Sequence, residues 1–181
     1  MKPIKKNYIP EKFYFLLPVE VPEIPERISE FAKAEGLNSK SECHISVVVE
    51  KSAKAIRAEL AKFENSDEIK EKIVELFNSL SFEYSLTDKY AYMEKIYTRE
   101  QLDGSGLTDE PEHSRRSVAQ VVDMPDMDKF YIEVSKLLSV NLEVPIPHIT
   151  ILAWSDYAPK PTRGIGISSK ADFDLYTKKY L

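Results

Sequence analysis

Apolar positions along the chain fall into two periods: alternation, which marks strands, and recurrence every three to four residues, which marks helices. Phe13-Tyr14-Phe15-Leu16-Leu17-Pro18-Val19 is aromatic-rich and reads as a first strand. Pro25 or Glu26 opens a helix with Ile28 and Phe31 inward, and Gly36 ends it. A strand over 43–49 follows. Ser52 then caps a helix carrying Ile56, Leu60 and Phe63, and Asn65-Ser66-Asp67 is a second capping signal before Ile69, Ile73, Leu76 and Leu80. That run is one kinked helix or two in sequence. Residues 82–86 and 90–97 alternate as one bent strand or a hairpin. Residues 98–114 turn polar, with Asp103-Gly104-Ser105-Gly106 and Asp109-Glu110-Pro111-Glu112 as breakers, and read as a long loop or lid. A strand over 117–122 and a helix opened by Pro125, with Phe130, Val134, Leu137 and Leu138, lead to a strand over 148–154. Ser169, with Asp172 three residues on, caps a last helix presenting Phe173, Tyr176 and Tyr180 on one side.

Two of these strands share a pattern. Cys43-His44-Ile45-Ser46-Val47-Val48 and Pro147-His148-Ile149-Thr150-Ile151-Leu152 each place a His, an apolar residue, a hydroxyl residue and another apolar residue in line. Alternation puts His44 with Ser46 on one face and Cys43, Ile45 and Val47 on the other. His148 and Thr150 likewise oppose Ile149 and Ile151. Cys43 therefore reads as packing and not as a nucleophile. The chain has three His in all, and two sit in this pattern. The third, His113, lies in the polar 98–114 stretch and reads as solvated surface.

Composition bounds the answer. The 181 residues suit one well-filled domain, and 43% hydrophobic with 30% charged residues is an ordinary globular mixture. The net charge of −5 argues against a grip on long duplex nucleic acid, which needs a surplus of Lys and Arg on one face. A single Cys points to a reducing, cytoplasmic setting. The apolar run at 13–17 is too short for a signal segment, and none is long enough for a membrane span. Nothing in the pattern sets an oligomeric state.

Two imidazoles facing one cleft suit general acid and base work, because free imidazole titrates near pH ~6.5. One copy, neutral, accepts a proton, while the other, raised by a bound anion, donates one. The hydroxyls of Ser46 and Thr150 can donate to non-bridging oxygens. Phosphodiester cleavage fits this set. Zinc fits it poorly, since neither strand supplies an adjacent Asp, Glu or Cys on the cleft face. Ser46 lacks the strained elbow of a Ser nucleophile, and Gly164-Ile165-Gly166 lacks the remaining glycine and the strand-to-helix context of a phosphate loop.

At these residues the chain resembles the two-histidine (2H) phosphoesterase superfamily, which includes LigT-like proteins and 2′,3′-cyclic nucleotide phosphodiesterases. His44-Ile45-Ser46-Val47 and His148-Ile149-Thr150-Ile151 are similar to its paired signatures. The order of elements from the first strand to the last helix is similar too. The resemblance implies an α+β, bilobal fold with two pseudo-twofold related β/α lobes around a central cleft, spanning 1–181 as one domain. It also implies a metal-independent, cofactor-free phosphodiesterase, with His44 and His148 catalytic and Ser46 and Thr150 on the phosphate. Members act on 2′,3′-cyclic phosphates, 2′-5′ oligoadenylates, other cyclic nucleotides or RNA ends. The expected partner is a nucleotide or short oligonucleotide; the alternative is a noncatalytic nucleotide sensor using the same cleft.

For a charge-assisted phosphate contact the candidates are Arg115, Arg116 and Arg163, with Arg116 ahead because it borders a strand directly. Tyr14 or Tyr157 would stack on a base. The acidic stretch at 109–112 would repel a long RNA if it overhangs the cleft, which favours a small substrate.

Overall fold

The structure, a computed structural model, describes residues 4–104 and 108–181. It is an α+β protein. Eight strands form one antiparallel sheet, and six helices accompany them among the described residues. In chain order these are β1 (Asn7–Ile9), β2 (Tyr14–Val19), α1 (Glu26–Glu35), β3 (Asn38–Ser39), β4 (Cys43–Val48), α2 (Glu50–Leu60) and α3 (Ser66–Ser79). Then come β5 (Ser85–Tyr97), α4 (Arg99–Gly104), β6 (His113–Asp123), α5 (Pro125–Leu138), β7 (His148–Ser155), α6 (Lys170–Tyr176) and β8 (Thr177–Tyr180). The sheet order is β1-β2-β4-β7-β6-β5-β8, with the short β3 pairing β7.

Local chemistry explains most boundaries. Gly36 takes φ 66 and closes α1, a conformation glycine adopts without a Cβ penalty. The helical run after β4 is two helices, α2 and α3, the first beginning at Glu50. Ser52 acts from inside its first turn, where its Oγ accepts from the Val49 N–H at 3.1 Å. Residues 85–97 form one strand, irregular between Leu86 and Tyr90.

Two expectations are corrected. The polar 98–114 stretch is not one long loop: it contains α4 and the start of β6, which pairs His113 with Tyr97. Residues 105–107, including Ser105 and Gly106 of the expected turn, lie outside the described residues. Tyr180 does not continue the last helix. The Thr177 Oγ1–H donates to the Phe173 carbonyl at 2.7 Å as the chain becomes β8, which pairs with β5.

The sheet has two unlike faces. Phe15, Leu17, Ile45, Val47, Ile149 and Ile151 point to one, where they join Ile28, Ile56, Ile73, Phe77, Phe130 and Val134 from α1, α2, α3 and α5 in the main core. A rank of aromatic rings runs through it, with Phe15 against Phe77 at 4.8 Å and Phe130 at 5.9 Å between centroids. Opposite lies a smaller apolar cluster of Ala91, Met93, Ala119, Ile165, Ile167 and Phe173. The cleft opens beside that cluster. Of the β4–β7 pairing, the ladder holds a single Cα pair, Ile45 with Ile149.

Candidate active site

The register at that one pair builds the centre of the site. In an antiparallel pair a local twofold axis passes between opposed residues, so the axis exchanging Ile45 with Ile149 also exchanges His44 with His148 and Ser46 with Thr150. Both isoleucines are fully buried in the core, so by alternation all four polar side chains face the other way. A cavity of about 270 Å³ holds them together: His44, Ser46, His148 and Thr150 all line it. On β2, Leu16 lies opposite Ser46 and Pro18 opposite His44, and Tyr14 and Leu16 form one wall.

The two imidazoles differ in how they are held. His148 Nδ1–H donates to the Ile146 carbonyl at 2.8 Å, which leaves Nε2 as the lone-pair nitrogen of the neutral ring. The ring packs edge-on to Phe173, 5.7 Å between centroids. His44 makes no such bond among the described residues. His44 is exposed as a residue, but partial desolvation of its ring in the cleft lowers its pKa below the ordinary value, and the nearby Lys40 cation and His148 lower it further. Burial also lowers that of His148, against an opposing pull from the Ile146 carbonyl. Without ligand both rings therefore favour the neutral form. A bound anion is what would raise one of them into the donor role.

The arginines fall differently from expectation. Arg115, not Arg116, lines the cleft, because Arg115 pairs with Ser155 and lies two and four residues from Ser117 and Ala119 on the cleft face of β6. Arg116 points to the other face. Its guanidinium lies over the Trp154 ring at 4.2 Å and meets Glu35 at 3.4 Å. Arg163 also lines the cleft. Tyr14 does so as well, whereas Tyr157 stacks on His113 at 5.5 Å.

His113 is the second corrected position. It is 5% exposed, a member of a buried polar cluster rather than of the solvated surface. Its Nδ1–H donates to the Pro111 carbonyl at 2.8 Å, and its Nε2 accepts from Arg115 Nε at 2.9 Å. Arg115, 2% exposed, also donates to the Gly164 carbonyl at 3.2 Å and to Glu110 at 3.3 Å. Glu110 takes Lys160 at 2.8 Å and Arg163 at 2.5 Å on its other oxygen. Burial works to raise the Glu110 carboxyl, but hydrogen bonds and charge from Lys160 and Arg163 outweigh it and hold the carboxyl below the usual range. The acidic 109–112 stretch thus spends its buried carboxylate on the cations of the cleft wall.

Sequence reasoning missed Lys40, Glu50 and the segment Gly164-Ile165-Gly166, all of which line the cleft. Gly164 packs directly on Thr150: a Cβ there would sit 3.2 Å from Thr150 Cγ2. Among the described residues no group of three or more His, Cys, Asp or Glu is placed to hold a metal ion. Likewise no described helix is long and apolar enough to cross a membrane. Comparison with known proteins adds no relative, since no family model, curated protein or solved structure matches the chain.

Proposed function

We propose that the protein is a metal-independent phosphodiesterase, a hydrolase that cleaves a cyclic (2′,3′-cyclic or similar) or a 2′-5′ phosphodiester of a nucleotide or short oligonucleotide. The observation that carries the reading is the Ile45–Ile149 register, which turns two separate His-apolar-hydroxyl patterns into one twofold set of groups in one cleft. In the reaction, an attacking water or ribose hydroxyl gives its proton to the neutral imidazole as its oxygen bonds to phosphorus. The leaving oxygen takes a proton from the protonated imidazole as its bond to phosphorus breaks. Ser46 and Thr150 donate to the non-bridging oxygens, and Arg163 supplies charge from the wall.

The same register favours a two-lobed 2H phosphoesterase-like arrangement in one domain, because the local twofold sits on the narrow seam between β1-β2-β4 and β7-β6-β5-β8. A cleft of about 270 Å³ favours a substrate near one nucleotide in size over a long duplex. The buried free thiol of Cys43 favours a cytoplasmic setting.

The test is turnover of 2′,3′-cyclic, 3′,5′-cyclic and cyclic dinucleotides and of 2′-5′ and 3′-5′ dinucleotides in the presence of a chelator. One linkage class should be cleaved, with a kcat/KM optimum on the acid side of pH ~6.5, since both free imidazoles are lowered. Activity that survives in the His44→Ala, His148→Ala double variant overturns the assignment. Saturable binding without turnover across the panel replaces it with a nucleotide sensor.

A further inference from the structure

We propose that Glu50 is the specificity-determining residue of the cleft, and that it admits a nucleotide with a single phosphate, whose uncharged donor groups face its carboxylate. The inference rests on the phosphodiesterase reading and deepens it.

Glu50 lines the same cavity as His44, His148 and Arg163. Two local features hold it there. Its backbone takes φ 42, in the left-handed region that side-chain-bearing residues avoid. And Gly166 leaves room for the carboxylate, since any side chain at 166 would collide with it. An acidic residue in a first helical turn complements the helix dipole from ordinary helical backbone, so that role does not explain the strain.

The carboxylate is also left without a direct partner. Among the described residues this solvent-exposed carboxylate makes no hydrogen bond and no ion pair, although Lys51, Lys95 and Arg115 lie near enough to feel its charge. Each of those cations is engaged elsewhere: Lys51 with Asp172 at 2.6 Å and Arg115 with Glu110, which also takes Arg163 of the cleft wall. Lys95 lies between the Tyr97 and Tyr176 rings, at 4.4 and 4.6 Å. An ionised carboxylate accepts hydrogen bonds and donates none. With one phosphate seated between the histidines, a ribose hydroxyl or base amine at Glu50 gains an acceptor, and a second phosphate meets a like charge. Two unit charges ~10 Å apart at an effective dielectric of ~20 repel enough to cost about tenfold in affinity.

The test compares 2′,3′-cyclic AMP with its 5′-phosphorylated form in turnover, and adenosine 2′-monophosphate with adenosine 2′,5′-bisphosphate in calorimetric binding. Wild type should favour the singly phosphorylated member of each pair about tenfold. Glu50→Gln should bring the ratio near one by strengthening the doubly phosphorylated ligand. Glu50→Gly, whose backbone accepts φ 42 without strain, should lose the same discrimination and fold at least as stably. A ratio that either variant leaves unchanged, or a wild-type preference for the second phosphate, overturns the inference. Binding without turnover would fail the phosphodiesterase and still decide Glu50 by the binding ratio. Absence of binding by both ligands would overturn both.

Discussion

Arg115 and Arg116 are neighbours in sequence and opposites in the fold, so the pair Arg115→Met and Arg116→Met tests the face assignment of β6 directly. Arg115 is 2% exposed and donates to His113, the Gly164 carbonyl and Glu110, with its guanidinium 4.1 Å from the Tyr97 ring centroid. Removing it strands two acceptors, the buried His113 Nε2 and the half-buried Gly164 carbonyl, at about 1–3 kcal/mol each with the second toward the lower end. Glu110 stays charge-paired through Lys160 and Arg163 on Oε1, while its Oε2 loses Arg115. The relieved desolvation of the guanidinium and the apolar stem of Met return part of the loss, which leaves about 3 kcal/mol net. Arg116 has a 27% exposed side chain and loses a cation–π contact with Trp154, about 0.5–1 kcal/mol at such sites. Its 3.4 Å pair with a partly exposed Glu35 adds little, roughly 0–1 kcal/mol after solvent screening. Urea unfolding followed by circular dichroism, with the slope m unchanged, should separate the two variants by about 2 kcal/mol. Losses within about half a kcal/mol of each other, or a larger loss at Arg116, would refute the assignment of the two arginines to opposite faces.

Two further predictions follow from the site. The imidazoles of His44 and His148 are held below their unfolded value, so the unfolded chain binds more protons between the lowered folded values and pH ~6.5. Their contribution is fully present above that window and is lost as pH falls through it, so unfolding free energy should drop from pH 6.5 to 5. The His44→Asn, His148→Asn variant should flatten that slope, and an identical slope in both proteins would count against the lowered imidazoles. At Gly164, a Val side chain meets Thr150, whose Cγ2 lies 3.2 Å from the added Cβ position. Gly164→Val should destabilise by about 1–3 kcal/mol through overpacking and cut kcat more than tenfold by moving the Thr150 hydroxyl, read by thermal unfolding and initial rates.

Much of this was legible because strand alternation and helix period are local. Gly36, Pro125 and Ser169 announced helix ends through backbone geometry that any fold must respect: Ser169 Oγ accepts from the Asp172 N–H at 3.0 Å. The 98–114 stretch misleads for the opposite reason. Glu110, His113 and Arg115 look solvated as a string of residues, yet they satisfy one another and bury as a unit, a pairing that only the tertiary structure supplies. A signal for Arg115 did exist. Extending the alternation Ala119, Ser117 two residues further back reaches Arg115, and starting the strand at 117 hid it. Glu50 and the 164–166 segment carried no local signal, since their meeting joins positions over a hundred residues apart.

The placement of the chemistry follows from the core rather than from the polar residues themselves. A slip of one residue between β4 and β7 would set His44 opposite Ile149, so that His44 and His148 faced opposite sides of the sheet. It would also drive an isoleucine from the core into the cleft. Ile45 and Ile149 are both fully buried, and losing either burial costs about 1.5–3 kcal/mol, more than any single polar contact in the cleft returns. Two smaller restraints agree with them: the Cys43 thiol donates to the Thr150 carbonyl at 3.5 Å, and β3 pins the far end of β7 through Asn38–Ala153 and Ser39–Leu152. The apolar residue between His and hydroxyl in each motif is thus as necessary to the site as the imidazole. Polar substitution at Ile45 or Ile149 removes the restraint that keeps both histidines in one cleft.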